Sequence, residues 1–77
     1  MVEAYVLIQT QVGKSAEVAD VAGKIPGVGF ADAVAGPYDV VVRAEAADLN
    51  RLGTLIVDKL QAVVGVTRTL TCPVVHL

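Results

Sequence analysis

"AGPYDVVVRA", residues 35–44, is the stretch on which the fold turns. Gly36 and Pro37 break the chain, because glycine frees the backbone and proline fixes φ and removes an N–H donor. Tyr38 and Asp39 then lead into an unbroken valine run, Val40 to Val42. β-branched residues favour strands. Along residues 39–45, Val40, Val42 and Ala44 face one way, and Asp39, Val41, Arg43 and Glu45 face the other. The preceding segment, "VGFADAVA" (28–35), reads as a weaker strand diluted by Gly29 and alanines. Two strands joined by a Gly-Pro turn form an antiparallel hairpin, with the quoted stretch at its corner.

The rest of the chain is read outward from that hairpin. "VEAYVLIQT" (2–10) has no Gly or Pro and reads as a strand. Val2, Ala4, Val6 and Ile8 share one face, with Tyr5 and Leu7 on the other, so both faces call for cover. From Lys14 to Ile25 the period changes: Val18, Val21, Ala22 and Ile25 recur at helical spacing, and Pro26-Gly27 ends the helix. Asp48 is an N-cap for a second helix, whose apolar stripe is Leu49, Leu52, Ile56, Leu60 and Val63. In "VTRTLTC" (66–72), Val66, Arg68, Leu70 and Cys72 alternate with Thr67, Thr69 and Thr71, which predicts a strand that Pro73 interrupts. The tail "VVHL" has strand character of its own. "KIPGV" (24–28) after the first helix is echoed by "KLQAVVGV" (59–66) after the second.

The order strand, helix, strand, strand, helix, strand predicts an α+β fold of the ferredoxin-like βαββαβ type. A four-stranded antiparallel sheet would carry both helices on one face. The other face would be bare. With 77 residues the chain makes one small domain, residues 1–77, yet 55% of its residues are hydrophobic. A domain of this size hides only about 60–65% of its unfolded surface. Large exposed apolar patches promote association, most simply with a second copy. A homodimer formed through the open sheet face is therefore expected, with an alanine-rich core as the rival account of the composition.

Several function classes fall away. The net charge is −2, with eight acidic and six basic residues spread along the chain. Direct nucleic-acid binding leaves a cluster of Lys and Arg, and none is seen. No apolar run approaches the about 20 residues of a membrane span, and no secretory signal is visible at the N-terminus. The single cysteine, Cys72, has no partner for an internal disulfide, in keeping with a reducing cytoplasm. Cys72 reads as a small buried hydrophobe and His76, next to last, as a surface side chain. No metal-ligand spacing or glycine-rich phosphate loop is present. No cofactor is implied, and no group is advertised for catalysis.

Gly36-x-Tyr38-Asp39 entering a valine strand, then the helix of Leu49 to Leu60, then Gly65-Val66-Thr67-Arg68-Thr69, resembles one family. It is similar to the C-terminal effector-binding domain of the Lrp/AsnC transcription regulators, also called the RAM domain. The likeness covers essentially the whole chain. Family regulators carry a helix-turn-helix domain before this module, whereas here the first strand follows Met1 at once, so a stand-alone form is expected. The resemblance implies pairing through the sheets, assembly of dimers into higher oligomers, and a small amino acid bound between dimers near the G-x-Y-D corner. Full-length family regulators are implied as further partners, and an indirect influence on transcription or amino-acid metabolism as the role. Pro37 removes one backbone N–H from the variable position of the motif.

Carried onto this chain, the resemblance assigns effector contacts to Gly36, Tyr38, Asp39, Thr67 and Thr69. Asp39 would pair with the ligand ammonium. Thr67 and Thr69 would donate hydroxyls to its carboxylate. Gly36 would allow close backbone approach, and Tyr38 would supply a ring wall with one polar handle. Local accounts stand beside these: Asp39 satisfying turn amides, the threonines as ordinary strand residues, Tyr38 in a core or interface. Three functions are open at this point: an amino-acid sensor, a ligand-free assembly protein, and a small dimeric α+β barrel enzyme, with the lack of placed acid–base groups against the last.

Overall fold

The computed structural model describes all residues from Met1 to Leu77. Its elements are β1 (Val2–Thr10), α1 (Ser15–Gly23), β2 (Val28–Ala33), β3 (Val40–Ala46), α2 (Leu49–Thr54) continuing into a π-helical segment (Leu55–Leu60), and β4 (Val66–Pro73). The four strands form one antiparallel sheet in the order β2-β3-β1-β4. This is the predicted βαββαβ arrangement.

The alternation read from the sequence decides which side of the sheet is covered. Ala4, Val6 and Ile8 of β1 and Val40, Val42 and Ala44 of β3 are buried. They pack against Val18 and Ala22 of α1 and against Leu52, Ile56, Leu60 and Val63 of the second helical region. Burying a side chain such as Leu60 contributes about 1.5–3 kcal/mol. The opposite face carries a cross-strand row of Val41, Leu7 and Leu70. Beside it runs a second row of Phe30, Arg43, Tyr5 and Cys72. Cys72 is exposed there rather than buried as expected, because this face of the edge strand has no cover within the chain. Tyr5, Phe30 and Leu70 are 38%, 39% and 47% exposed, so this face has no cover within the chain.

The second helix departs from expectation in two ways. Leu49, placed on the apolar stripe, is exposed, and only Leu52, Ile56, Leu60 and Val63 reach the core. Leu49 is the first residue after the Asp48 cap and precedes the turn that meets the sheet. The helix also widens: Gln61 N–H donates to Ile56 O at 2.9 Å, an i→i+5 bond. In a regular α-helix each four-residue step drifts about 40° around the axis. The wider turn reduces that drift and keeps Leu52, Ile56 and Leu60 on one line over the sheet.

The echo between the two halves has a structural counterpart. Gly27 and Gly65 have φ of 96° and 102°. Each precedes a strand whose first residue closes a turn: Val28 N–H donates to Ile25 O at 3.0 Å, and Val66 N–H to Val63 O at 3.1 Å. A Cβ on Gly65 would lie 3.1 Å from Val18 Cγ2, and one on Gly27 would lie 3.0 Å from Leu55 Cδ2. Positive φ and crowding both require glycine there.

Four elements have bounds that differ from the reading. α1 runs from Ser15 to Gly23 rather than from Lys14 to Ile25. β2 stops at Ala33, and β3 begins at Val40 rather than at Asp39. Pro73 is the last residue of β4 rather than a break within it, which an edge strand tolerates because its outward N–H needs no partner. The tail from Val74 to Leu77 is not a strand, although Val74 N–H still donates to Glu3 O at 2.9 Å.

Candidate functional site

The G-x-Y-D corner is tied to the far end of β1. Beyond the Ile8–Val40 pair the sheet ladder between β1 and β3 stops. Asp39 N–H still donates to Ile8 O at 2.8 Å, and the Asp39 carboxylate accepts the Thr10 N–H at 2.8 Å. The side chain thus supplies the acceptor that a further β3 residue would have supplied. Asp39 O also accepts Val34 N–H at 2.9 Å, closing the loop upon itself. Gln9 Nε2 donates to Pro37 O at 3.2 Å, a third tie between the corner and β1.

Asp39 therefore has a structural role through Oδ2, while Oδ1 accepts no hydrogen bond within the chain. Tyr38 is half-buried. Gly36 is exposed, its φ is not positive, and an added Cβ would meet nothing within 4 Å. Nothing inside the chain requires glycine at that position.

The threonines sit on the other flank of β1. The pairing of β1 with β4 shifts between Gln9 and Thr10: Gln9 opposes Arg68, but Thr10 opposes Val66. Thr67 is the extra residue of this bulge. Its hydroxyl donates to Gln9 O at 3.1 Å. Thr67, Arg68 and Thr69 line one cavity of about 420 Å³ along the edge of β4, together with Gln61 and Val66. Gln61 Nε2 donates to the Thr69 hydroxyl at 2.9 Å, which leaves the Thr69 proton free to donate outward. The Arg68 guanidinium enters none of the ion pairs of the chain, which join Lys14 to Glu17, Lys24 to Asp20, Arg43 to Glu3 and Arg51 to Asp48.

One chain thus brings Thr67 and Thr69 together, and separately Gly36, Tyr38 and Asp39. It does not bring the two groups into one cavity. Gln9 is the residue between them, with its side chain on the corner and its carbonyl on Thr67. Gln9, Gln61 and Arg68 escaped the sequence reading. A period of two sets Arg68 on the face away from Thr69, where its pairing with Gln9 keeps it, and the cavity takes in both because it lies along the edge strand β4. Gln61 lies just beyond the second helix, where no pattern marks it.

A family model described as the Lrp/AsnC ligand binding domain matches residues 3–76. The chain belongs to the Lrp/AsnC ligand-binding domain family. Among similar Lrp/AsnC relatives is the uncharacterised HTH-type transcriptional regulator PF0250 of Pyrococcus furiosus, 38% identical over 55 residues. That match takes in 71% of this chain and 37% of the regulator, so it spans well under half of the regulator's length. The solved structure of hypothetical protein PHS023 from Pyrococcus horikoshii is similar at a TM-score of 0.90 and 31% identity, covering 100% of this chain and 93% of that one. The Neisseria meningitidis transcriptional regulator NMB0573, solved as a complex with L-Met, shares the fold at a TM-score of 0.84 and 22% identity. There the alignment covers 97% of this chain and 50% of the regulator.

Proposed function

We propose that this Lrp/AsnC domain senses a free amino acid and acts within a regulator of transcription, with its ligand held between protomers. The observation that carries the reading is the β4 cavity, lined by both Arg68, which enters no ion pair, and Thr69, whose hydroxyl proton is free. An arginine fork with a hydroxyl suits a carboxylate. The carboxylate and ammonium of an α-amino acid lie on adjacent atoms, so one site must serve both. Asp39 does not line the cavity of its own chain. The ammonium is therefore assigned to Asp39 of a neighbouring protomer, through the carboxylate oxygen not engaged by Thr10. Thr67, whose proton goes to Gln9 O, shapes the cavity rather than donating. Gly36 lets the neighbouring backbone approach, and Tyr38 walls the ligand. The L-Met complex of a protein with the same fold supports this ligand class.

Assembly is assigned to the bare sheet face. Arg43 Nη1 donates to the Tyr5 hydroxyl at 2.7 Å, Arg43 Nη2 pairs with the Glu3 carboxylate, and the guanidinium carbon lies 5.1 Å from the Tyr5 ring centre. This network pairs the Arg43 charge with Glu3 beside Leu7, Val41 and Leu70, and suits that part of the face to cover by a second copy. A ligand-free assembly module is the second reading, favoured by that same exposed face.

A thermal-shift screen of the proteinogenic amino acids tests the proposal, since a ligand that binds only the folded state raises its stability by mass action. A hit confirmed by calorimetry is expected to be lost in Arg68→Gln. Stabilisation by no amino acid, with an oligomer present, moves the assignment to the assembly module.

A further inference from the structure

The outer side of the molecule, opposite the bare sheet face, holds a groove of about 470 Å³ between the two helices. Its apolar lining includes Val21, Ile25 and Leu55, and its polar rim is Lys24, Arg51 and Lys59. The chain has six basic residues and a net charge of −2. Three of the six therefore line this one groove. We infer that this groove is a docking surface for an acidic amphipathic segment of a partner protein.

The charges are available for such a partner. Lys59 forms no ion pair within the chain, the four pairs being Lys14–Glu17, Lys24–Asp20, Arg43–Glu3 and Arg51–Asp48. Lys24 reaches Asp20 at 3.1 Å and Arg51 reaches Asp48 at 3.7 Å, both between well-exposed side chains. Exposed pairs of this kind contribute little to stability, so a partner carboxylate exchanges with them at little cost.

The groove wall is also set by the widened helix. Arg51, Leu55 and Lys59 are spaced by four residues, as are Leu52, Ile56 and Leu60 on the adjacent line. A regular helix would carry Lys59 about 80° around the axis from Arg51. The π-helical segment keeps it on the groove, so one local feature serves the core line and the cationic line together. Such segments are frequent at functional positions. The occupant that matches is a helix or turn with a few apolar side chains on one stripe and Asp or Glu beside them, laid apolar side down.

The test uses a fluorescein-labelled synthetic peptide of about 14 residues, long enough to hold a helix. Leucines form one stripe and glutamates fill the rest. Saturable binding by fluorescence anisotropy is expected, weakening as salt rises. The double variant Lys24→Glu, Lys59→Glu is expected to bind at least about tenfold more weakly, a change of about 1.4 kcal/mol. Both lysines are exposed, and circular dichroism checks the fold. Should the reversal disturb it, Lys24→Gln with Lys59→Gln replaces it, with the same direction expected. Amide shifts in the labelled protein are expected at Val21, Ile25 and Leu55. Absence of binding up to about 1 mM at low salt overturns the inference. So does binding that both variants leave unchanged, or shifts confined to the sheet face. Displacement of the peptide by duplex DNA, lost in the same variants, would assign the groove to nucleic acid and reject the acidic segment.

Discussion

The Asp39 carboxylate accepts the Thr10 backbone N–H at 2.8 Å, tying the G-x-Y-D corner to the end of the central strand β1. This bond gives Asp39 a role in the fold, independent of any ligand. It also leaves the second carboxylate oxygen for another purpose, and the two roles separate by substitution.

Asp39→Asn keeps an oxygen for the Thr10 N–H and removes the charge. The fold is expected to lose about 1 kcal/mol or less, by urea denaturation. The amino acid found by the thermal screen is expected to bind about tenfold to a hundredfold more weakly by calorimetry. Asp39→Ala is expected to weaken both. Ligand affinity equal to that of the parent in Asp39→Asn would make the residue purely structural.

The two threonines differ in what their hydroxyls have left to give. Thr69 accepts from Gln61 and keeps its proton, whereas Thr67 donates to Gln9 O. Thr69→Val is expected to lower ligand affinity about tenfold with little effect on stability. Thr67→Val is expected to lower stability by about 1 kcal/mol through the unpaired Gln9 carbonyl. Reversal of that order, by calorimetry and urea denaturation on both variants, would reject the donor assignment.

Glycines at two kinds of position should respond oppositely. Gly65→Ala combines a positive φ with a Cβ 3.1 Å from Val18, and is expected to cost about 2 kcal/mol or more of stability. Gly36→Ala meets nothing within 4 Å and is expected to leave the monomer fold unchanged. If backbone approach at the corner matters, the same variant weakens ligand binding or higher assembly, read by calorimetry and light scattering. A Gly36→Ala protein identical to the parent in both would remove Gly36 from the site.

The bare sheet face gives the assembly test. Leu70 lies opposite Leu7 and is 47% exposed, so Leu70→Glu adds a charge without opening a core cavity. Light scattering at micromolar concentration is expected to show the parent as a dimer or larger, and Leu70→Glu as a folded monomer of about half the mass or less. An unchanged oligomer in the variant would place the contact elsewhere.

The core offers a control on the fold itself. Leu60 is fully buried beneath the widened helix. Leu60→Ala is expected to cost about 2–5 kcal/mol, enough to unfold a small domain at ordinary temperature. A midpoint close to the parent's would show that this region does not close the core.

Much of the fold was legible because its causes are local. Alternation in β1 and β3 names the six core residues of the central strands, from Ala4 to Ala44, and a period near four names Leu52, Ile56 and Leu60. The order of elements and the apolar residues on the second strand face, Leu7 and Val41 among them, point to an uncovered sheet. The corner and its Tyr38-Asp39 pair were legible as a turn entering a strand.

What only the tertiary structure decided is where pieces from distant segments meet. The bulge at Thr67 depends on how β4 aligns with β1, a long-range pairing no local pattern encodes, and it turns Val66 toward the core while Arg68 stays opposite Gln9. Asp39 is bound to Thr10 because β1 outruns β3, a matter of relative strand length. The π-helical segment arises where helix periodicity must yield to the line of the sheet beneath it, and it keeps Lys59 on the groove that Lys24 and Arg51 also line. Sequence periodicity reports the face a side chain takes on its own element; the neighbours it meets there depend on register between elements, which the whole core fixes at once.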